Sequence, residues 1–275
     1  MTRQDPNPDT DRDAPSPSNT LERWAMDYLL APLAHKRSLG PAPSAVDPTF
    51  VRRRDARPTR GAPLTVVTRA EKLATHPEAL ASAKKRAAVL HAFAHHELQA
   101  AELFCWAILA FSDAPAAFRV GLAKIARDEA RHFDLYLSRV EALGAKWGEF
   151  SVRDWFWQRL PDCERPAQFV ATMGLGFEGA NLDHGQRFES LFERAGDAES
   201  AALVRLVSDE ERSHVAFAKH WFEQFTGGCD PVTWRENLVA PLSPLVMRGP
   251  TIDREARREA RMPEALIDAI ERYRA

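Results

Sequence analysis

The chain has 275 residues, of which 45% are hydrophobic, enough for a sizeable core, so global disorder is excluded. Its 37 Lys and Arg nearly cancel its 39 Asp and Glu, and the formal net charge of −2 argues against a dedicated nucleic-acid binder, which needs a strongly basic surface. The scattered cysteines Cys105, Cys163 and Cys229 suggest neither a zinc ribbon nor a disulfide framework, and no run of about 18 uncharged apolar residues reads as a membrane span.

Residues 1–19 carry four prolines and almost nothing apolar. They read as a disordered tail without a signal peptide's apolar core, which together with the cysteine usage points to a cytoplasmic protein. Asn19 or Thr20 caps a short amphipathic helix, Leu21 to Ala31, whose apolar side holds Trp24, Met26, Tyr28 and Leu29. Residues 40–70, with five prolines and the cluster Arg52, Arg53, Arg54 and Arg57, read as an extended arm over the domain. A long helix follows, from 77 or from just after Ser82 to Phe111, with Thr75-His-Pro-Glu78 offering a capping box. Pro115 opens a second helix that Gly144 stops. After a connector over 145–163 rich in aromatics, a third helix runs from about Pro166 to Ala195, and a fourth from the Gly196-Asp197 turn to Thr226, before Gly227-Gly228.

Four helices of about 30 residues, joined short-long-short, predict an all-α fold: a four-helix bundle with one long crossover. The bundle occupies 77–228, an N-terminal helix and arm 20–76, and short C-terminal helices 229–275. Arg254 to Arg261, alternating with Glu255 and Glu259, reads as a solvated face.

Helix two contains Asp128-Glu129-Ala-Arg-His132 and helix four contains Glu210-Glu211-Arg-Ser-His214. The Glu-x-x-His spacing puts a carboxylate and an imidazole on one face, one turn apart. Helix one adds Glu97 and helix three adds Glu178. Glu97 lies about 16 residues before the first turn and Glu129 about 16 after it; Glu178 lies about 18 before the second turn and Glu211 about 15 after. At ~1.5 Å per residue, these groups share one height. The hairpins also repeat: Glu97 and Glu178 differ by 81 positions, as do Glu102 and Asp183, while Glu129 and Glu211 differ by 82, as do His132 and His214. Buried carboxylates without partners repel one another and lose hydration, a cost that two divalent cations remove. Glu97, Glu129, His132, Glu178, Glu211 and His214 are therefore candidate ligands of two metal ions. The competing reading is a metal-free polar layer, or carboxylates turned outward. Carboxylate-rich sites with one imidazole per metal suit iron(II) or manganese(II) over zinc or copper.

Asp-Glu-Ala-Arg-His resembles the acidic-Glu-x-Arg-His motif of ferritin-like dimetal carboxylate oxidases and oxygenases; helix four departs from it at Ser213. More closely, His95 to Glu102, Asp128 to Phe133, Gly148-Glu-Phe and Gly196 to Ser200 resemble an uncharacterised bacterial ferritin-like family, the domain of unknown function numbered four-five-five, over about residues 57–262. The resemblance implies a ferritin-like bundle with a metal site and no particular substrate. Iron is favoured over manganese because the resembling enzymes activate oxygen with it. The functional expectation is a di-iron oxidoreductase that uses O2 to oxidise or hydroxylate a small organic substrate. The alternatives are a ferroxidase or a non-catalytic binding module; an RNA-modifying hydroxylase is disfavoured by the balanced charge.

Around this site, Asp128 and Glu210 either orient the ligand histidine of the other hairpin through its second ring nitrogen or form surface ion pairs. Glu102 and Asp183 stand five residues after Glu97 and Glu178, about 140° round the helix, so they are expected in supporting roles. Gly174, Gly176 and Gly179 leave room for a π-bulge beside Glu178. His91, His95 and Glu102 share the face opposite Glu97, where polar packing against the arm is preferred to a second metal. Tyr136, four residues after His132, has the spacing of the radical tyrosine in ribonucleotide reductase small subunits; core packing is the plainer reading. Phe93, Phe104, Phe133, Met173, Phe177 and Phe217 read as ordinary core or as the lining of an apolar pocket, and Trp155 and Trp157 as plugs of one bundle face.

Overall fold

A computed structural model describes residues 19–69 and 73–274. Apart from Asn19, the expected tail lies outside them. The described chain is all-helical; a single parallel bridge, Val66 to Val152, ties the arm to the connector. The helices are α1 (Leu21–Leu30), α2 (Pro77–Leu80), α3 (Ala83–Ala110), α4 (Ala116–Ala142), α5 (Pro166–Phe169), α6 (Gly179–Arg194), α7 (Ala198–Thr226), α8 (Pro231–Glu236), α9 (Arg254–Glu259) and α10 (Glu264–Arg272). No helix among the described residues is long and apolar enough to cross a membrane.

Local chemistry sets most of the ends. Thr20 caps α1 through Arg23 N, Asp197 caps α7 through Ser200 N, and Asp230 caps α8. Gly144 and Gly227 adopt φ of +83° as the chain leaves α4 and α7. The capping box expected at Thr75 does not form. His76 occupies the cap position of α2 without a side-chain bond, and the chain breaks at Ala81-Ser82 before α3 begins.

The third helix is composite. Between α5 and α6 the chain widens into a π-helical stretch, Val170–Glu178, much longer than the single bulge expected from the glycines. Gly174 permits this stretch to lie against α7, because an added Cβ would stand 2.2 Å from the Ala218 Cβ.

Four long rods thus pack together: α3, α4, the composite helix and α7. The connector between α4 and α5 runs back along α3. Gly148 N donates to His91 Nε2 (2.9 Å), Phe156 N to Gln99 Oε1 (3.2 Å) and Trp157 Nε1 to Glu102 Oε2 (3.0 Å). The composite helix then descends antiparallel to α3, as the ring contacts of Phe104 with Phe169 (5.7 Å) and of Phe93 with Phe188 (4.9 Å) require.

Two apolar clusters fill the interior. One joins α1, the C-terminal half of α3, the start of α4, α5, the π stretch, the end of α7 and the C-terminal helices. The other joins the start of α3, the end of α4, Phe188 and Phe192 of α6, and the start of α7. Between them lies a layer of buried acids and imidazoles.

Candidate metal centre

Each rod contributes to that layer. Glu97 comes from α3, Glu129 and His132 from α4, Glu178 from the last position of the π stretch, and Glu211 and His214 from α7. None is more than 6% exposed. Their ligand-capable atoms form two groups, each with all atoms within 4.8 Å of one another: Glu97, Glu129, His132 and Glu211, and then Glu129, Glu178, Glu211 and His214. Glu129 and Glu211 belong to both. Glu97 with His132, from the first hairpin, completes one half; Glu178 with His214, from the second, completes the other.

The imidazoles are aimed by partners on both sides. His214 Nδ1 lies 2.9 Å from Glu129 and 2.9 Å from Glu211, and His132 Nδ1 lies 3.5 and 3.6 Å from the same two residues. The outer nitrogens meet carboxylates of the opposite hairpin: His132 Nε2 is 2.7 Å from Glu210, and His214 Nε2 is 3.4 Å from Asp128. An Nε2 proton donated outward leaves the Nδ1 lone pair facing the layer, the orientation a metal-binding imidazole requires. Arg131 pairs with Glu210, whereas Asp128 meets no guanidinium ion pair among the described residues.

The charges in the layer are finely divided. Burial, reinforced by the charges of Glu129 and Glu211, raises the Glu97 and Glu178 carboxyls well above the usual range. Burial also opposes ionisation of Glu129 and Glu211, but the imidazoles outweigh it and hold both below that range. The same contacts, against burial, raise His132 and His214 well above an ordinary histidine. Even so, both carboxylate oxygens of Glu129, Oε1 of Glu178, Oε1 of Glu211 and Nδ1 of His132 are buried without a hydrogen bond among the described residues. Glu129 Oε1 is close to His214 Nδ1 but lacks hydrogen-bond geometry. Each orphaned group of this kind costs about 1–3 kcal/mol. Four carboxylates and two imidazoles on one level, three of the acids and His132 with unpartnered buried atoms, fit a pair of hard or borderline divalent cations.

Glu102 and Asp183, expected in support of this layer, lie outside it. Glu102 accepts from Lys36 Nζ at 2.7 Å, from Trp157 Nε1 and from Arg60, all from the arm and connector. Asp183 accepts from Arg257 Nη2 (2.8 Å) and from the backbone N–H groups of Gly249 and Asp253. The two equivalent acids clamp the two terminal extensions onto α3 and α6. Arg257 therefore corrects the solvated reading of α9, since it is fully buried against Asp183. The face of His91, His95 and Glu102 is taken up by polar packing: Gly148 N donates to His91 Nε2, and His95 meets Arg60 and Asp154, while His91 Nδ1 is buried without a partner among the described residues.

A model of one protein family matches residues 23–268 of the chain. The chain belongs to the family described as "Protein of unknown function (DUF455)". It is also similar to an "Uncharacterized protein" of Haemophilus influenzae, with 24% identity over 194 residues and 67% of each chain covered. No solved structure gives a significant match.

In this DUF455 chain the layer is reachable. A cavity of about 1180 Å³ lies between α3 and α6, extends over α7, and is lined by both Glu97 and Glu211. Tyr136 stands in its wall one turn beyond His132; burial, then the charges of Glu97, Glu211 and Glu129, keep its phenol protonated. Phe93, Phe177, Trp155 and Phe156 also line the cavity. Phe104, Phe133 and Met173 belong to the apolar clusters, Phe217 stacks on Phe118, and Trp157 plugs the α3 face. Sequence reasoning gave no role to His96 and His184 of the cavity wall: His96 falls within the His95 to Glu102 segment, but no spacing marks either as a site residue.

Proposed function

We propose that the four rods form a ferritin-like bundle holding two metal ions, iron before manganese, and that the protein is a di-iron carboxylate oxidoreductase acting on a small organic substrate with O2. The observation that carries this reading is the pair of four-residue groups sharing Glu129 and Glu211, with orphaned lone pairs turned inward. Glu97 and His132 would hold one ion, Glu178 and His214 the other, and Glu129 and Glu211 would serve both. Bound in the ferrous state, such a pair supplies the electrons and open positions that O2 activation needs.

The chain's own residues do the rest. Asp128 and Glu210 hold the Nε2 protons and so fix the ring orientations. The apolar clusters on either side exclude bulk water and strengthen the field of the carboxylates. Tyr136 presents a protonated phenol to the cavity. The cavity is the reason for preferring an organic substrate to iron itself, because an iron-handling site needs no chamber of this size.

Metal analysis of protein loaded anaerobically with ferrous iron is expected to give about two ions per chain. Oxygen uptake is then expected as a short stoichiometric burst that becomes dependent on an added reductant. Uptake continuing with added iron over many turnovers would identify a ferroxidase instead, and the absence of bound metal would leave a binding module.

A further inference from the structure

The inner end of the cavity has a composition of its own. Beside Glu97 stands a tier of rings: His96 lies 5.3 Å from Phe156, which stacks on Phe177 at 4.9 Å and 12°, and Trp155 packs on Phe177 at 5.0 Å. His96 on α3 and His184 on α6 both line this space, together with Glu97 and Glu211. Neither imidazole belongs to the metal-competent groups. The described residues supply neither with a hydrogen-bond partner, although both are only partly exposed and face the cavity. Burial lowers the pKa of His184, so its ring is neutral and offers one donor and one acceptor.

We propose that this inner chamber binds an uncharged planar ring of the substrate, held at its polar edge by His96 and His184 and faced by the aromatic tier beside Glu97. An anionic group beside Glu97 and Glu211 would meet the acids of the layer. A flat ring suits walls built from stacked rings. Any anionic part of the substrate belongs with the cations of the lining: Arg153 of the connector, or Lys84 and Lys85, which stand 13 and 12 residues before Glu97, about 20 Å along α3. The volume of about 1180 Å³ exceeds what a single ring fills, so the ring is the inner part of a larger molecule. The ring's oxidation rests on the di-iron reading; its binding does not.

Phenol and indole serve as neutral planar probes, benzoate as a charged one and cyclohexanol as a non-planar one. Binding to the full chain is measured by calorimetry or saturation-transfer NMR, with metal content determined on the same sample. Phenol and indole are expected to bind at least tenfold more tightly than benzoate or cyclohexanol. His96→Phe and His184→Phe, which keep a ring and remove the nitrogens, are expected to weaken phenol at least tenfold, and His184→Asn to recover part of the loss. Should His96→Phe fail to fold by circular dichroism, the two His184 variants decide. Benzoate binding as tightly as phenol, phenol affinity unchanged in the His184→Phe variant, or no binding of either neutral ring would overturn the proposal. Metal-loaded protein that ignores phenol rejects the chamber alone, and phenol binding by protein that takes up no metal rejects the dimetal reading alone.

Discussion

Glu129 and Glu211 stand in both four-residue groups, whereas Glu97 and Glu178 each stand in one. Removing a shared carboxylate therefore damages both halves, and removing a terminal one damages a single half. Metal analysis is expected to show close to no metal in Glu129→Ala and about one ion in Glu97→Ala or Glu178→Ala, by the shared-ligand logic of such sites. Equal occupancy in the three variants would contradict this division of labour. Protons compete for the same atoms. With the pKa values of Glu97, Glu178, His132 and His214 all raised, each of the four holds a proton that a cation must displace. Metal uptake in weakly buffered solution should acidify it, and affinity should fall as the pH is lowered. The metal-free protein has the opposite slope. A group whose pKa is raised on folding stabilises the fold below its unfolded value and loses that contribution as pH climbs through the folded one. Thermal midpoints of the metal-free protein are thus expected to drop from about pH 6 to about pH 8, while the gain on adding metal grows.

Among elements, the terminal extensions matter because buried ion pairs hold them. Lys36 is fully buried and its ion pair is with Glu102, whereas Arg60 divides itself between Glu102 and Asp154. Glu102→Gln leaves the buried Lys36 without its counter-charge and is expected to cost on the order of 3–5 kcal/mol in denaturant unfolding. The arm should become a preferred site of proteolysis, and a variant as protease-resistant as the parent would argue against the clamp. These clamps also show where sequence reading stopped. The six residues of the layer could be picked out because helical period and hairpin register act locally, and the structure brings them to one level. The crossing of Asp128 and Glu210 to the opposite imidazoles follows from the same register. The partners of Glu102 and Asp183 lie 66 and 74 residues away in Lys36 and Arg257, and no periodicity connects such distances. Nor could glycines at 174, 176 and 179 reveal how far the π stretch runs, because its length depends on packing against Ala218 and Met247.

At the scale of the whole molecule, two apolar clusters are joined by a level that is unfavourable to bury by itself. Cations that bind this level only in the folded chain add to its stability by mass action, about 2.7 kcal/mol at a hundredfold excess over Kd. The unfolding midpoint is expected to rise by several degrees on loading and to fall back with a strong chelator; a midpoint indifferent to both would separate the layer from metal altogether. The halves of that level match in shape and differ in charge. Arg131 neutralises Glu210 behind His132, and Ser213 provides no such counterweight to Asp128 behind His214. Two ions bound there would be siblings rather than twins, and a metal titration is expected to show them loading at different concentrations.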